Sequence, residues 1–329
     1  MTKHRIEGGD RIPARFLNKG AKMPVPNKFR EPPKPEDIKS QFPQFEEVLF
    51  LNSGGFKAVY KITVSGSTEA FKIVYIPDIS GVDPEVKMEF RKESLGRIAR
   101  EIKTLNDCKS PEIVKLGAIQ PASVVLNSRE YVAYSEEFLD GYTIRELIRQ
   151  SIKPTEQDLR LLLLSLLRAI RELWSLNIIH RDIKPDNVMK LDRKNRSFVL
   201  LDLGIAFSIV DTSLTFDASN RFPPGTYRYL APEMLQPGFR ESIDFRSDIY
   251  AAALTVYEYA AGQHPLAKHK DDPITTLSRI IRETPKSLRE HRSDLSPFLI
   301  GTVDQMLKKI PALRPSNINM LIDKLEKDI

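Results

Sequence analysis

The chain has 329 residues, of which 41% are hydrophobic and 29% are charged, and it carries a formal net charge of +6. This length allows one large domain or two lobes with an ample core. The longest apolar run, LLLLSLL at 161–167, lies between arginines and is too short to cross a bilayer, so it predicts a buried helix. The single cysteine, Cys108, excludes an internal disulfide. Because no apolar segment opens the chain, the sequence predicts a cytoplasmic protein without a membrane partner.

Residues 1–45 hold +5 of the net charge of +6. They hold ten Lys or Arg against five Asp or Glu, and seven of the 23 prolines. A segment with so little to bury is expected to be flexible or to lie extended along the main domain. Two roles stay open for this basic tail: it binds an acidic partner or nucleic acid, or it is a solvated leader.

The sequence pattern changes after the tail. Short runs of alternating apolar and polar residues, separated by turn signals, predict an antiparallel sheet. A helix is predicted at about 86–108, followed by strands near 113–126 and 130–138. Further helices are predicted over 155–176, 246–262, 273–283, 297–309 and 315–327. A β-rich half followed by a helical half indicates an α+β chain of two lobes, joined by a hinge near 137–141.

Two nearby segments carry the residue types that phosphoryl transfer requires. HRDIKPDN at 180–187 places an aspartate, a lysine and an asparagine in one loop, and LLDLG at 200–204 adds a second aspartate on a glycine-ended turn. Phosphoryl transfer needs a carboxylate to orient the attacking hydroxyl, a cation for the γ-phosphate and oxygen ligands for Mg²⁺. The pattern therefore predicts a phosphoryl-transfer site.

These motifs resemble those of the eukaryotic-like (Hanks-type) serine/threonine protein kinases, and the resemblance extends over residues 46–329. It implies a bilobal protein-kinase fold, with an N-lobe over 46–137 and a C-lobe over 142–329. It also implies ATP with Mg²⁺, or Mn²⁺, as cofactors. The implied partner is a protein substrate with a Ser or Thr acceptor.

The resemblance assigns roles to the two segments. Asp182 is the catalytic base, and Lys184 neutralises the γ-phosphate. Asn187 and Asp202 bind the metal ions. The position of Lys184, two residues after the aspartate, is typical of Ser/Thr specificity.

Upstream, AFK at 70–72 resembles the third-strand motif whose lysine binds the ATP phosphates and pairs with a glutamate on helix αC. Lys72 is that lysine, and Glu93 and Glu101 are both candidates for its partner. Glu101 is preferred, because the sequence REIKTLNDCKSPEIVKL around it matches the family register. This choice implies an insertion before the helix, which we expect to form an extra turn or a short helix.

The stretch LNSGGFKAVYK at 51–61 resembles a glycine-rich phosphate loop with the glycines partly replaced, since Asn52, Gly54 and Lys57 hold its three positions. Asparagine tolerates left-handed backbone conformations, so Asn52 is expected to substitute with little strain. Lys57 brings an ammonium group that reaches the phosphates or an acidic group. Gly54 and Gly55 are assigned to the nucleotide site.

Other nucleotide contacts follow from the resemblance. The residues implied in binding the adenine are Val59, Ala70, Glu137, Leu139 and Met189. Glu136 then takes the gatekeeper position, where a buried carboxylate is costly unless it is paired or protonated. Two interpretations stay open: Glu136 contacts a lysine, or a one-residue slip puts Ser135 in this place.

Further segments resemble the structural frame of the family. GTYRYLAPE at 225–233 matches the end of an activation segment, in which Thr226 has a structural role. Asp248 opens the helix that anchors the catalytic loop. Arg314 is placed to form a buried ion pair with Glu233. The residues implied in a packed regulatory column are Leu105, Leu116, His180 and Leu203.

Arg181 precedes the catalytic aspartate, an arrangement that implies an activation loop ordered by a phosphate group. We therefore expect autophosphorylation, in trans within a homodimer, with Thr215 and Ser219 as the preferred acceptors. The other candidate acceptors are Ser208, Thr212 and Ser213.

Two other functions are compatible with the sequence. The departures at Asn52, Lys57 and Glu136 would suit a pseudokinase that binds nucleotide as a scaffold, although the lysine, the base and both metal ligands are all present. A small-molecule kinase would share the lobes and the metal chemistry. The complete GTYRYLAPE segment and Lys184 favour a protein substrate instead.

Overall fold

The chain folds into a sheet lobe followed by a helical lobe, which confirms the predicted bilobal α+β class. The computed structural model describes residues 31–54, 57–76, 83–193, 195–203, 226–236, 243–268 and 270–327. Each lobe has its own hydrophobic core among these residues. The two cores follow from the element order, because strands and helices must each bury their apolar side against a neighbour.

The sheet lobe is built on antiparallel strands in the order β1-β2-β3-β5-β4. They are β1 (Phe45–Ser53), β2 (Lys57–Val64), β3 (Ser67–Tyr75), β4 (Ala122–Leu126) and β5 (Arg129–Glu137). Along β2 buried residues alternate with half-buried ones, as the period of a strand requires. Ser65 and Gly66 connect β2 to β3 with φ angles of 50° and 73°. Positive angles at both positions give a turn whose twist matches that of the flanking strands.

The prediction of one strand over 113–126 is wrong for most of its length, since only β4 at its end is regular. Ile113 instead forms a single bridge to Leu200 of the helical lobe, and Leu116 forms one to Glu136 of the sheet lobe. The backbone passes between the lobes here, so it cannot keep one strand partner. Its apolar residues contact both lobes, and Leu116 packs against the hydrophobic cores of both.

The last part of the basic tail is helical, where the sequence predicted flexible or extended chain. Helix α1 (Pro35–Gln41) lies against the sheet lobe and buries Ile38 completely. The Tyr60 hydroxyl donates a hydrogen bond to the Pro33 carbonyl at 2.5 Å. Phe42, just after α1, also packs against Phe45 and Phe71 of the sheet lobe. Apolar contacts and a buried hydrogen bond thus fix a segment whose composition alone predicts no core contact.

Helix α2 (Pro84–Asp107) is continuous and begins two residues before the predicted start at 86. The part of the expected insertion at 77–82 lies outside the described residues. Ile98 and Ile102 of α2 belong to the core of the sheet lobe, whereas Leu105 belongs to the core of the helical lobe. The helix thus packs on both lobes.

The helical lobe contains the predicted C-terminal helices, whose ends differ from the predicted ones by at most three residues. Its described helices are α3 (Ile144–Arg149), α4 (Glu156–Ser175), α5 (Phe245–Ala261), α6 (Pro273–Arg282), α7 (Pro297–Met306) and α8 (Ile318–Lys327). A small antiparallel sheet joins them, made of β6 (Gly141–Thr143), β7 (Val188–Leu191) and β8 (Phe198–Leu200). None of the described helices is long and apolar enough to cross a membrane.

Local signals fix the ends of the two central helices. The Thr155 side chain accepts a hydrogen bond from the Asp158 backbone NH at the start of α4, and the Asp158 carboxylate in turn accepts from the Thr155 NH. This capping box satisfies NH groups that have no partner inside the helix. Helix α5 ends at Gly262, whose φ of 71° is a conformation that favours glycine.

We expect Ile38→Ala to lower the free energy of unfolding by about 2–5 kcal/mol, because it removes a fully buried side chain and leaves a cavity under α1. Denaturant unfolding followed by circular dichroism measures this change. The matched control is Ile274→Ala, since Ile274 is 65% exposed and its truncation should cost less than about 0.5 kcal/mol. Equal stability of the two variants would show that α1 does not contribute to the fold.

Candidate active site

Asp248 anchors the loop that carries the candidate catalytic base. Its carboxylate accepts hydrogen bonds from the backbone NH groups of His180 at 2.7 Å and of Arg181 at 2.9 Å. Asp248 lies in the first turn of α5 and is 1% exposed. Because α5 is buried along most of its length, this carboxylate is a rigid support for the loop.

His180 connects this loop to the segment that holds Asp202. Its Nδ1 accepts from the Asp182 backbone NH at 3.2 Å, so its Nε2 carries the proton and donates to the Leu201 carbonyl at 3.3 Å. Burial lowers the pKa of His180, which favours this neutral form. The ring therefore acts as a spacer between the two aspartate-bearing segments.

Two residues of these segments adopt left-handed backbone conformations. The φ angle is 64° at Arg181 and 52° at Asp202. Residues other than glycine seldom adopt such angles, and where they persist the surrounding structure holds them. Both strained positions lie beside or at a candidate functional aspartate.

The carboxylate of Asp182, the candidate base, is contacted by the candidate phosphate-binding lysine and the candidate metal-binding asparagine. Lys184 Nζ contacts the two Asp182 oxygens at 2.6 and 2.8 Å. Asn187 Nδ2 donates to an Asp182 carboxylate oxygen at 2.8 Å and to the Asp182 carbonyl at 2.9 Å. The Leu201 backbone NH in turn donates to the Asn187 carbonyl at 2.8 Å, which brings the asparagine next to the Asp202 segment.

A cluster of four charges lies where the lobes meet, and its members are Lys57, Lys72, Glu136 and Asp202. Lys72 and Lys57 each donate to one carboxylate oxygen of Asp202. Lys72 Nζ also lies 2.6 Å from Glu136 Oε2. Two ammonium groups and two carboxylates make this cluster neutral as a whole.

Mutual pairing outweighs burial at Asp202 and Lys72, whereas burial lowers the pKa of Lys57 and raises the pKa of Glu136. Burial alone would raise the pKa of Asp202, but the Lys57 and Lys72 ammonium groups outweigh it and hold that pKa well below its usual range. Burial likewise opposes the charge of Lys72, yet the carboxylates of Asp202 and Glu136 raise the pKa of Lys72. Asp202 therefore stays ionised, as a metal ligand must be.

Of the two gatekeeper interpretations, the observed contacts put Glu136 beside the lysine. Glu136 pairs with Ala70 in the β3–β5 ladder and is 2% exposed. Ser135 points to the other side of the sheet, where its hydroxyl donates to Glu69 and accepts from the Ile119 backbone NH at 2.9 Å.

The residues assigned to the phosphate loop are only partly described. The Gly54 backbone NH donates to the Lys57 carbonyl at 2.8 Å, which closes the β1–β2 turn. Asn52 pairs with Val59 inside the β1–β2 ladder and does not adopt a left-handed conformation. Gly55 lies outside the described residues. The strand pairing of Asn52 removes any need for glycine-like freedom there.

The residues assigned to adenine lie along the cleft edges of both lobes. Val59 stands opposite Lys72 in the β2–β3 ladder, and Ala70 stands opposite Glu136. Met189 is half-buried on β7 of the helical lobe. A nucleotide base between the lobes would thus meet apolar side chains from above and below.

The hinge is fixed by an ion pair that the sequence did not suggest. The Glu137 carboxylate accepts from Arg196 at 2.6 Å and from the Lys115 backbone NH at 2.8 Å. Burial raises the pKa of Glu137, but Arg196 and Lys115 lower it by more. Arg196 stands in a polar loop, RKNR, that carries no recognisable signal for this contact. Leu139, the other assigned hinge residue, is buried in the core of the helical lobe.

Arg314 forms a buried ion pair with Glu233. Its two terminal guanidinium nitrogens donate to the two Glu233 carboxylate oxygens at 2.6 and 2.8 Å, and its side chain is fully buried. Ser247 donates to the same carboxylate at 2.7 Å, and the guanidinium lies 4.7 Å from the centre of the Tyr250 ring. This network joins the end of the activation segment to α5 and to the loop before α8.

Several assigned residues fall outside the description of the structure. Glu93 and Glu101 lie on α2, but their side chains are not described, and the same holds for the Thr226 side chain. The candidate phosphorylation sites outside the described residues are Ser208, Thr212, Ser213, Thr215 and Ser219. Of the regulatory column, Leu105 and Leu203 belong to the core of the helical lobe.

The model of the protein kinase domain family matches residues 45–325. The chain belongs to this family. The serine/threonine-protein kinase PknB of Mycolicibacterium smegmatis is 29% identical over 231 residues, covering 70% of this chain and 34% of the relative. A probable serine/threonine-protein kinase of Streptomyces coelicolor is 28% identical over 232 residues, covering 70% of this chain and 32% of the relative.

This kinase-family chain thus spans about a third of the length of these curated relatives. Among solved structures, that of Rad53 residues 1–466 in complex with AMP-PNP aligns with a TM-score of 0.63 and 21% identity. The alignment covers 88% of this chain and 67% of that chain. At this identity the likeness shows the fold.

We expect Arg314→Ala to lower the free energy of unfolding by about 3–5 kcal/mol, because it leaves the Glu233 carboxylate without its buried partner. Chemical denaturation measures the change. The control is Lys286→Ala, which breaks an ion pair whose side chains are 71% and 49% exposed and should cost less than about 1 kcal/mol. A small effect at Arg314 would show that the pair is not needed for stability.

Proposed function

We propose that this chain is an ATP-dependent serine/threonine protein kinase. The observation that carries the proposal is that Lys184 and Asn187 both contact the Asp182 carboxylate. This group lies close to the segment that contains Asp202. Lys72 reaches Asp202 from the sheet lobe. These groups match the parts that phosphoryl transfer needs, and the relatives are named serine/threonine-protein kinases.

The donor atoms suit Mg²⁺ or Mn²⁺, which prefer oxygen ligands. Because the amide nitrogen of Asn187 donates to Asp182, its amide oxygen points away and would join an Asp202 carboxylate oxygen as a metal ligand. When bound, the metal neutralises charge on the ATP phosphates. Lys72 would bind the phosphates from the side of the sheet lobe.

Asp182 would orient the Ser or Thr hydroxyl of a protein substrate and accept its proton. The hydroxyl oxygen forms a bond to the γ-phosphorus while the bond to the β–γ bridging oxygen breaks, and ADP leaves. Lys184 contacts Asp182 at 2.6 Å, so its ammonium group would lie near the transferred phosphoryl group. Its charge would offset the negative charge that gathers on the phosphoryl oxygens.

The proposal includes location and regulation. The kinase would act in the cytoplasm, and it would phosphorylate its own activation loop in trans within a homodimer, with Thr215 and Ser219 as preferred acceptors. The basic tail before α1 would contact an acidic partner. A pseudokinase is the second candidate, because Lys57 occupies the carboxylate that must bind metal.

We expect purified protein to transfer label from ATP to itself or to a general protein substrate in the presence of Mg²⁺. Asp182→Ala should lower the rate at least about a hundredfold, since it removes the group that orients the acceptor. The matched control is Asp186→Ala, in the same loop, where the carboxylate is 44% exposed and faces Arg145 at 3.2 Å. This control should keep roughly the wild-type rate.

The same reaction tests autophosphorylation, because phosphosites can be mapped by mass spectrometry. An active protein without phosphate at 208–219 would contradict the assigned acceptors. A wild-type protein that binds nucleotide but transfers no label, with every protein substrate tried, would favour the pseudokinase.

We expect Lys57→Ala to lower the Mg²⁺ concentration for half-maximal activity by roughly fivefold, because the lysine and the metal compete for Asp202. A Mg²⁺ titration of the initial rate measures it. Lys39→Ala, which removes an exposed lysine of the same lobe, is the control and should leave the titration unchanged. A higher Mg²⁺ requirement in Lys57→Ala would mean that the ammonium assists metal or phosphate binding.

A further inference from the structure

The contact between Lys72 and Glu136 is set by the pairing of β3 with β5. Lys72 stands opposite Tyr134 in this ladder, and Ala70 stands opposite Glu136. Residues two apart on a strand share a face, so Lys72 and Glu136 are diagonal neighbours on one face of the sheet. Long side chains reach each other across such a diagonal. The observed distance of 2.6 Å between Nζ and Oε2 agrees with this geometry.

Both members of the pair are withdrawn from water. Lys72 is 4% exposed and Glu136 is 2% exposed. A carboxylate at this depth is costly unless a cation pairs with it, and a lysine has the same requirement. Among the described side chains, the carboxylates that contact the Lys72 ammonium are Glu136 and Asp202. Of these, Asp202 belongs to the other lobe and is the proposed metal ligand.

We propose that Glu136 is the positioning residue that holds Lys72 for phosphate binding. The inference rests on the proposed kinase function and deepens it. If metal takes over Asp202, Glu136 still holds the ammonium, because it belongs to the same sheet as Lys72. Through this contact the orientation of Lys72 depends on the β3–β5 register.

This arrangement has a consequence for control of the enzyme. A carboxylate on α2 can reach Lys72 only when that helix lies close to the sheet, whereas Glu136 is joined to Lys72 through neighbouring strands. Displacement of α2 would therefore leave the contact between Lys72 and Glu136 in place. We accordingly expect substitution of Glu136 to weaken nucleotide binding more than substitution of Glu101.

The test measures binding of a non-hydrolysable ATP analogue with Mg²⁺ by calorimetry, together with KM for ATP and kcat. Glu136→Gln should weaken analogue binding roughly tenfold, because it keeps the shape but removes the charge that holds the lysine. The matched control is Glu130→Gln on the same strand, where the carboxylate is 24% exposed and pairs with Arg91. It should bind like the wild type.

A double variant separates positioning from a merely structural role. If Glu136 acts through Lys72, Lys72→Met/Glu136→Gln should bind the analogue no more weakly than Lys72→Met alone. Losses that add would overturn the proposal, and so would wild-type binding by Glu136→Gln with a large loss in Glu101→Gln.

Two further outcomes are informative. If Glu136→Gln does not fold, Lys72→Met/Glu136→Met should restore the melting transition, because it leaves no unpaired buried charge. Failure of this rescue would reject the pairing. Since the readout is binding, a chain that binds the analogue without transferring phosphate would reject the kinase function and leave the test of Glu136 intact.

Discussion

The carboxylate of Asp202 is the point on which the two lobes of this kinase-family chain converge. It belongs to the segment after β8, yet its partners are Lys57 and Lys72 on strands of the sheet lobe. Each of these charges would be expensive to bury alone, and together with Glu136 they form a neutral cluster. The contacts of Lys57 and Lys72 across the lobes and the ionisation of Asp202 therefore depend on each other.

The helical lobe supplies the rigid side of this arrangement. Asp248 on the buried helix α5 holds the backbone at His180 and Arg181, and the His180 ring bridges to the carbonyl before Asp202. The left-handed conformations at Arg181 and Asp202 are held by these contacts. Strain at both aspartate-bearing segments is thus balanced by hydrogen bonds from the most buried part of the lobe.

The sheet lobe contributes through register. Because Lys72 and Glu136 are diagonal neighbours in the β3–β5 ladder, their pairing is a property of the sheet. At the hinge, the Glu137 side chain faces the other lobe and accepts a hydrogen bond from Arg196. The consecutive residues Glu136 and Glu137 therefore contact partners in different lobes. One holds a lysine within the sheet, and the next ties the sheet to the helical lobe.

The sequence by itself determined the α+β class, most helices and the set of residues that could carry phosphoryl transfer, because periodicity and short motifs are local properties. It did not determine helix α1, the interrupted strand at 113–126, the contact of Arg196, or the contact of Glu136 with Lys72. Each of these depends on groups distant in the chain: Ile38 needs a sheet to bury it, and Arg196 meets Glu137 across 59 residues. Only the tertiary structure decided them, since burial and strand register determine which charges must pair.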